Sequence, residues 1–161
     1  MITAIYPIFR AARPLINSVF REYWYSRLKT DWSVSGDIEN AEFQMLKSSV
    51  KINLNDIKFG DETYIVVDKS NFAKFVAQDD TPDLKYVTNR RDCNAFTDVL
   101  KGKIRAIGNF LVGDCWGYCT WVEGHHAFLI FYADQKWHAL EPQTRKVYPL
   151  ESVNEITFLK F

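Results

Sequence analysis

The sequence is poor in cysteine, carries no net charge and lacks a long apolar run. Its three cysteines are an odd number without regular spacing, which argues against a disulfide framework and favours a reducing compartment. Twenty Lys and Arg residues balance twenty Asp and Glu residues, so no positive field favours a nucleic-acid partner. Arginine and proline interrupt the early apolar stretch within the ~20 residues that a membrane span needs, and no signal-peptide cleavage site follows. We therefore expect a cytoplasmic chain without a membrane span.

Aliphatic and aromatic residues, in contrast, are abundant. Hydrophobic residues make up 47% of the 161 residues and aromatic residues 16%, far from the composition of disordered chains. A chain of this length can bury one core. The sequence therefore predicts a single domain over residues 1–161, with helices and strands in 1–85 and a helix followed by a sheet in 86–161.

The first half mixes helical and strand patterns. Apolar residues recur at steps of three and four over 4–29, which predicts an amphipathic helix with a break near Pro14. We interpret its apolar face as a packing surface, and its basic residues leave contact with a membrane surface as the alternative. Residues 30–41 are rich in turn formers and predict a surface loop. Residues 50–59 alternate between apolar and polar side chains, which predicts a half-buried strand.

The second half begins with a helix and continues as a sheet. The segment "RDCNAFTDVLKGK" predicts a helix after Asp92, a good N-cap residue, with Cys93, Phe96 and Leu100 on one face. After Asn109, turn residues separate five apolar segments that are typical of strands. Helices first and an antiparallel sheet last indicate an α+β fold.

Cys93 is the first candidate for chemistry. In the first turn of a helix, free backbone N–H groups and the helix dipole stabilise a thiolate, although a cysteine on an apolar helical face is also typical of a small core residue. A nucleophilic cysteine needs a histidine to accept its proton and a third group to orient the imidazole. The candidates are His125 or His126 at the start of one strand, and Glu141 or Gln143 at the end of the next.

Strand alternation distinguishes the two histidines. The connection "ADQK" is short enough for a hairpin in which Tyr132 pairs with Trp137. Alternate residues share a face, so this register places His126 diagonal to Glu141 and turns His125 to the opposite face. A slip of one residue would exchange the two histidines, so the choice depends on the register.

Three motifs in order resemble a known family. The chain has "DCNAF" at 92–96, "HHAF" at 125–128 and "WHALEPQT" at 137–144. This order resembles the papain-like cysteine-peptidase domain found at the C-terminus of a fungal agglutinin and in phage and bacterial proteins. The match covers roughly residues 86–150. It implies a papain-like α+β fold in which N-terminal helices and a central cysteine-bearing helix pack on a C-terminal antiparallel sheet.

The same resemblance implies a hydrolase, namely a thiol or cysteine protease with a catalytic triad. Cys93 would attack a peptide or isopeptide bond of a peptide or protein substrate, with His126 as general base and acid and Glu141 orienting the imidazole. Water would resolve the thioester, with transfer to an amine as a variant. No cofactor is required, and calcium is implied only through the agglutinin member.

The oxyanion donors of this hypothesis are less well defined. The glutamine that precedes the cysteine in papain-like enzymes has no counterpart between Gln78 and Cys93. Because the transition state needs aimed donors rather than glutamine as such, Asn89 and Tyr86 become candidates beside the backbone N–H of Cys93. Gln143 is a further candidate for orienting the imidazole.

Two other functions compete with the hydrolase. Cys115, Cys119, His125 and His126 are a chemically sensible zinc set, although their spacing is unusual and a chain of this size can fold without metal. The last alternative is a catalytically inactive papain-like module that binds a protein or glycan partner. Its aromatic platform would come from Trp116, Trp121 and Trp137.

Overall fold

The computed structural model describes residues 5–35, 41–88 and 92–161, and it combines helices with a large, mostly antiparallel sheet. The helices and strands follow one another along the chain as α1 (Ile5–Leu28), β1 (Lys29–Ser35), α2 (Ala41–Ser49), β2 (Lys51–Ile52), β3 (Ile57–Lys58), β4 (Thr63–Val67), α3 (Lys69–Gln78), α4 (Cys93–Ile107), β5 (Val112–Cys119), β6 (Val122–Ala133), β7 (Lys136–Glu141), β8 (Lys146–Pro149) and β9 (Val153–Lys160). The α+β class predicted from the sequence is confirmed.

The main sheet has β6 near its middle. Within the described residues it has seven strands, ordered β2, β9, β5, β6, β7 and β8, with β3 pairing beside β2 on β9. Strands β5 to β9 pair antiparallel, whereas the short β2 and β3 run parallel to β9. Strands β1 and β4 form a separate two-stranded sheet. Strands β5 to β8 are neighbours in chain order and require only short connections, whereas β9 returns to pair with β5.

The core lies on both faces of β6. Phe128 and Ile130 belong to a cluster with residues of α2 and β9, whereas Leu129 and Phe131 belong to a second cluster with residues of α1, α3 and α4. Side chains of a strand alternate between faces, so a strand that is covered on both sides becomes almost continuously apolar. This explains the run "AFLIFYA" and fixes β6 as the centre of the fold.

Two local predictions are confirmed, the helix after Asp92 and the hairpin, and local rules also explain the start of α3. Asp68 caps α3, with its side chain accepting a hydrogen bond from the Asn71 backbone N–H at 2.8 Å. The helix predicted after Asp92 begins at Cys93, and Gly108 ends it. Tyr132 pairs with Trp137, as the hairpin prediction required.

Three local predictions are wrong. Residues Lys29–Ser35 form β1 rather than a loop, because they pair with the distant β4; positions 36–40 lie outside the described residues. The single strand expected over 50–59 is divided into β2 and β3 by a 3₁₀ turn at Leu54–Asp56. Helix α1 continues through Pro14 without a break.

Two expectations about the whole chain have different outcomes. No helix among the described residues is long and apolar enough to cross a membrane. The single domain over 1–161, with parts 1–85 and 86–161, stays a prediction, and so does the cytoplasmic location.

Candidate functional site

A cavity of about 540 Å³ opens where α4 begins and where β6 and β7 separate. The last pair between these strands joins Leu129 to Leu140, and beyond this pair β6 and β7 are no longer hydrogen-bonded to each other. The cavity is lined by Tyr86, Cys93, Trp121, Val122, Glu123, His125, His126, Glu141, Gln143, Thr144, Lys146 and Tyr148. Both aromatic and polar side chains therefore line one open cavity.

His126 and Glu141 form a direct contact on the wall of this cavity. Nε2 of His126 lies 2.5 Å from Oε2 of Glu141, and the residues are only 7% and 3% exposed. An ionised carboxylate only accepts, so the ring nitrogen is the donor. The second ring nitrogen has no hydrogen-bond partner among the described residues. The face argument from the hairpin register thus selected the histidine that meets Glu141.

Glu141 accepts two further hydrogen bonds. The indole Nε1–H of Trp121 donates to Oε2 at 3.3 Å, and the backbone N–H of Gln143 donates to Oε1 at 3.0 Å. Three donors from three segments therefore converge on one buried carboxylate. Such convergence satisfies a charge that would otherwise be costly to bury.

Trp121 and Tyr148 form an aromatic pair at the same cavity. Their ring centroids are 4.3 Å apart and their planes differ by only 5°. Trp121 also contacts Phe128 edge to face, which anchors the pair to the core. Tyr148 lies on β8, next to β7 in the sheet, so the sheet order brings it to the cavity.

Cys93 is half-buried at the start of α4 and lines the cavity from the helix side. Its Sγ lies 4.0 Å from Oδ1 of Asn94, and its backbone carbonyl accepts from the Thr97 hydroxyl at 2.9 Å. The structure therefore brings Cys93, His126 and Glu141 to one cavity. Their assignment as a functional site stays a prediction.

The other predicted site residues have separate outcomes. Tyr86 lines the cavity and stacks on Phe96, with ring centroids 6.4 Å apart. Gln143 also lines it, and its backbone binds Glu141. Asn89 lies outside the described residues. Tyr86 and Gln143 are therefore available to a ligand in the cavity.

His125 occupies the opposite side of β6, as alternation predicted. Its Nε2 lies 2.7 Å from the Thr157 hydroxyl oxygen, and its ring meets that of Tyr118 edge to face. It is also one of the residues that line the cavity. Its contact partners are therefore on β5 and β9 rather than at Glu141.

The zinc set is not assembled. Among the described residues, which include Cys115, Cys119, His125 and His126, no group of three or more His, Cys, Asp or Glu side chains is placed to hold a metal ion. Burial raises the pKa of the Cys115 thiol well above its usual value and also raises that of Cys119, which disfavours the thiolates that zinc needs. The calcium ion that the resemblance implied stays a prediction as well. The expectation that no cofactor is required stays a prediction.

The aromatic platform predicted from three tryptophans is only partly correct. Trp121 lies at the cavity, but Trp116 packs on Phe158, and Trp137 is buried in the core. Sequence reasoning missed Tyr148 as the partner of Trp121. The signal for it was present in the short β8 segment "KVYP", whose alternation does not by itself say which strand β8 joins.

The fold is shared with lectin chains. A solved structure of the Polyporus squamosus lectin bound to a human-type influenza-binding epitope, Neu5Aca2-6Galb1-4GlcNAc, superposes with a TM-score of 0.62 and 18% identity over 80% of this chain and 49% of that chain. A complex of PSL1a, the same lectin, with E64 superposes with a TM-score of 0.63 and 17% identity, over 80% of this chain and 51% of that chain. The chain spans about half the length of these lectin chains. No family model and no curated protein matches the chain.

These findings contradict the resemblance to a papain-like cysteine-peptidase family, since the neighbours are lectin chains and no family model supports a peptidase. The assignment as a hydrolase, a cysteine protease with a catalytic triad, is wrong on the same finding. The papain-like part of the fold prediction is not confirmed. The short motifs mark the positions of a helix start and two strand ends in the fold. One fold can support binding as well as catalysis. At 17–18% identity the likeness shows a shared fold.

Proposed function

We propose that this chain is a glycan-binding module that holds its sugar in the cavity between α4 and the ends of β6 and β7. The observation that carries the proposal is the stacked pair of Trp121 and Tyr148 on the cavity wall. A sugar ring has an apolar face of C–H bonds and a rim of hydroxyl groups. Rigid aromatic rings present a large apolar surface to the first, with little loss of side-chain entropy.

Polar side chains around the pair match the hydroxyl rim. Gln143 and Thr144 can both donate and accept, whereas Lys146 only donates. Glu141 is already oriented by three donors, so its geometry changes little when a ligand enters. A mainly apolar wall with a few fixed polar groups is typical of small-ligand sites.

Cys93 and His126 belong to this site as lining groups. The thiol is a weak donor on the helix side of the cavity, and His126, which contacts Glu141 through Nε2, lines the cavity from β6. The sialylated epitope bound by the neighbouring lectin supports a glycan rather than a peptide as partner. It also supplies the first probe.

Replacing Tyr148 with alanine should weaken glycan binding by about tenfold, because half of the stacked surface is lost. The affinity is measured by isothermal titration calorimetry with Neu5Aca2-6Galb1-4GlcNAc and with the best ligand from a glycan array. Tyr148→Phe keeps the ring and should bind nearly as well. Trp116→Ala removes another exposed tryptophan, outside the cavity, and should not change the affinity.

Two results would contradict the proposal. One is a wild-type protein that binds no glycan on the array, or binds equally well after Tyr148→Ala. The other is turnover of a peptide library that is lost in Cys93→Ser, since a lining thiol should be replaceable by a hydroxyl without loss of function.

Among the cysteines, Cys93 is half-buried and the other two are buried, so alkylation of the folded protein should modify Cys93 and block the cavity.

A further inference from the structure

A second cavity, of about 430 Å³, lies at the turn between β5 and β6. Three residues of this turn, Trp121, Val122 and Glu123, line both the second cavity and the first. Tyr118 on β5 and Asn154 on β9 belong to the lining of the second cavity alone. The two cavities therefore adjoin at the turn, and a ligand of sufficient length can enter both.

A pair of rings gives a second connection between the cavities. Tyr118 and His125 are direct partners across β5 and β6, and their rings meet edge to face with centroids 5.3 Å apart. His125 lines the first cavity, and its Nε2 lies 2.7 Å from the hydroxyl oxygen of Thr157 on β9. The side chains that join the cavities are therefore held by three paired strands, so their positions are fixed before a ligand binds.

The second cavity offers a sugar the same two kinds of surface as the first. Tyr118 is 44% exposed, so part of its ring is open to the apolar face of a sugar. The exposed side chains of Thr120 and Asn154 can both donate and accept hydrogen bonds, and the ionised Glu123 accepts them where the cavities meet. An aromatic surface with a few polar groups beside it suits one more sugar unit.

We infer that the ligand is an oligosaccharide whose successive sugar units occupy both cavities, with Tyr118 as a specificity-determining residue. The inference rests on the proposed glycan site and adds the length of the ligand to it. Cavities of about 540 and 430 Å³ together exceed the space that one sugar fills. Because the units are covalently linked, contacts in the second cavity add affinity without a second loss of translational freedom.

Isothermal titration calorimetry with Neu5Aca2-6Galb1-4GlcNAc and with each of its three component monosaccharides tests the inference. The wild-type protein should bind the trisaccharide about tenfold or more tighter than the best monosaccharide. Tyr118→Ala removes the aromatic surface of the second cavity and should reduce this ratio about fivefold, whereas Tyr118→Phe should keep it. Trp116→Ala is the matched control, because it removes another exposed aromatic residue of β5 that lines neither cavity.

Contrary outcomes separate the inference from the proposed function. A trisaccharide that binds no tighter than its best monosaccharide, or a ratio that survives Tyr118→Ala, overturns the inference, while weaker binding by Tyr148→Ala still supports the glycan site. A wild-type protein that binds none of the four sugars overturns the inference as well, and the glycan array then decides the proposed function. Because Tyr118 is exposed, circular dichroism of Tyr118→Ala should match the wild type, so a lower ratio reports the cavity rather than unfolding.

Discussion

Replacing Gly117 with alanine should lower the free energy of unfolding by about 3 kcal/mol. Gly117 lies in β5, where a bulge separates its pairing with β9 from that of Trp116. A Cβ at this position would overlap the backbone carbonyl oxygen of Glu155 and lie 3.0 Å from its carbon. Backbone atoms of a paired strand cannot rotate away as a side chain can, so β5 and β9 would have to separate. Urea denaturation measures the loss.

Gly102→Ala is the matched control. Gly102 is exposed inside α4, and an added Cβ there meets no atom within 4 Å. Alanine is the better helix former, so this variant should gain about 0.5–1 kcal/mol of stability. An unchanged denaturation midpoint in Gly117→Ala would show that β9 does not approach β5 as closely as the structure has it.

The same substitution also tests how the sheet supports the site. Gly117 pairs with His126 across β5 and β6. Separation of β5 from β9 should weaken the pairing of Gly117 with His126 and lengthen the distance between the His126 imidazole and the Glu141 carboxylate. We therefore expect Gly117→Ala to bind glycan more weakly than wild type at a temperature where both remain folded. Gly102→Ala should bind equally well.

The geometry of His126 and Glu141 could be predicted because it depends on local rules. A short connection fixes the register of a hairpin, and the period of two then assigns faces. Cys93 could be placed at a helix start because Asp92 and the apolar spacing mark that boundary, although the Asp92 side chain makes no capping hydrogen bond with the described residues. These features come from neighbours in sequence, and the structure agrees with each of them.

What could not be predicted depends on partners far along the chain. Strand β1 has turn-forming residues, and only its pairing with β4 makes it a strand. The contact of Tyr148 with Trp121 requires β8 to pair with β7 and the β5–β6 turn, which carries Trp121, to lie next to β8. The sequence patterns placed Cys93, His126 and Glu141 at one site, but the catalytic function inferred from their positions was wrong. A helix start facing two strand ends is a property of the fold, and use of that space is set by its lining.

Glu141→Ala should lower the free energy of unfolding by about 3 kcal/mol. The side chain is 3% exposed and accepts from His126, Trp121 and the Gln143 backbone. Truncation leaves these donors without their acceptor and removes the group that joins β6, the β5–β6 turn and the segment after β7. Glu141→Gln keeps the volume and one acceptor oxygen, so its loss should be smaller.

Glu155→Ala provides the comparison for Glu141→Ala, because it removes another glutamate that pairs across strands. Glu155 binds Lys51 at 2.8 Å, but the lysine is 76% exposed, so the loss should stay below about 1 kcal/mol. Both variants are measured by urea denaturation, and glycan affinity is measured under native conditions. Glu141→Ala should weaken binding as well, since Trp121 loses the bond that orients its ring beneath Tyr148. Equal stability losses for the two glutamates would mean that the buried carboxylate does not organise this cavity.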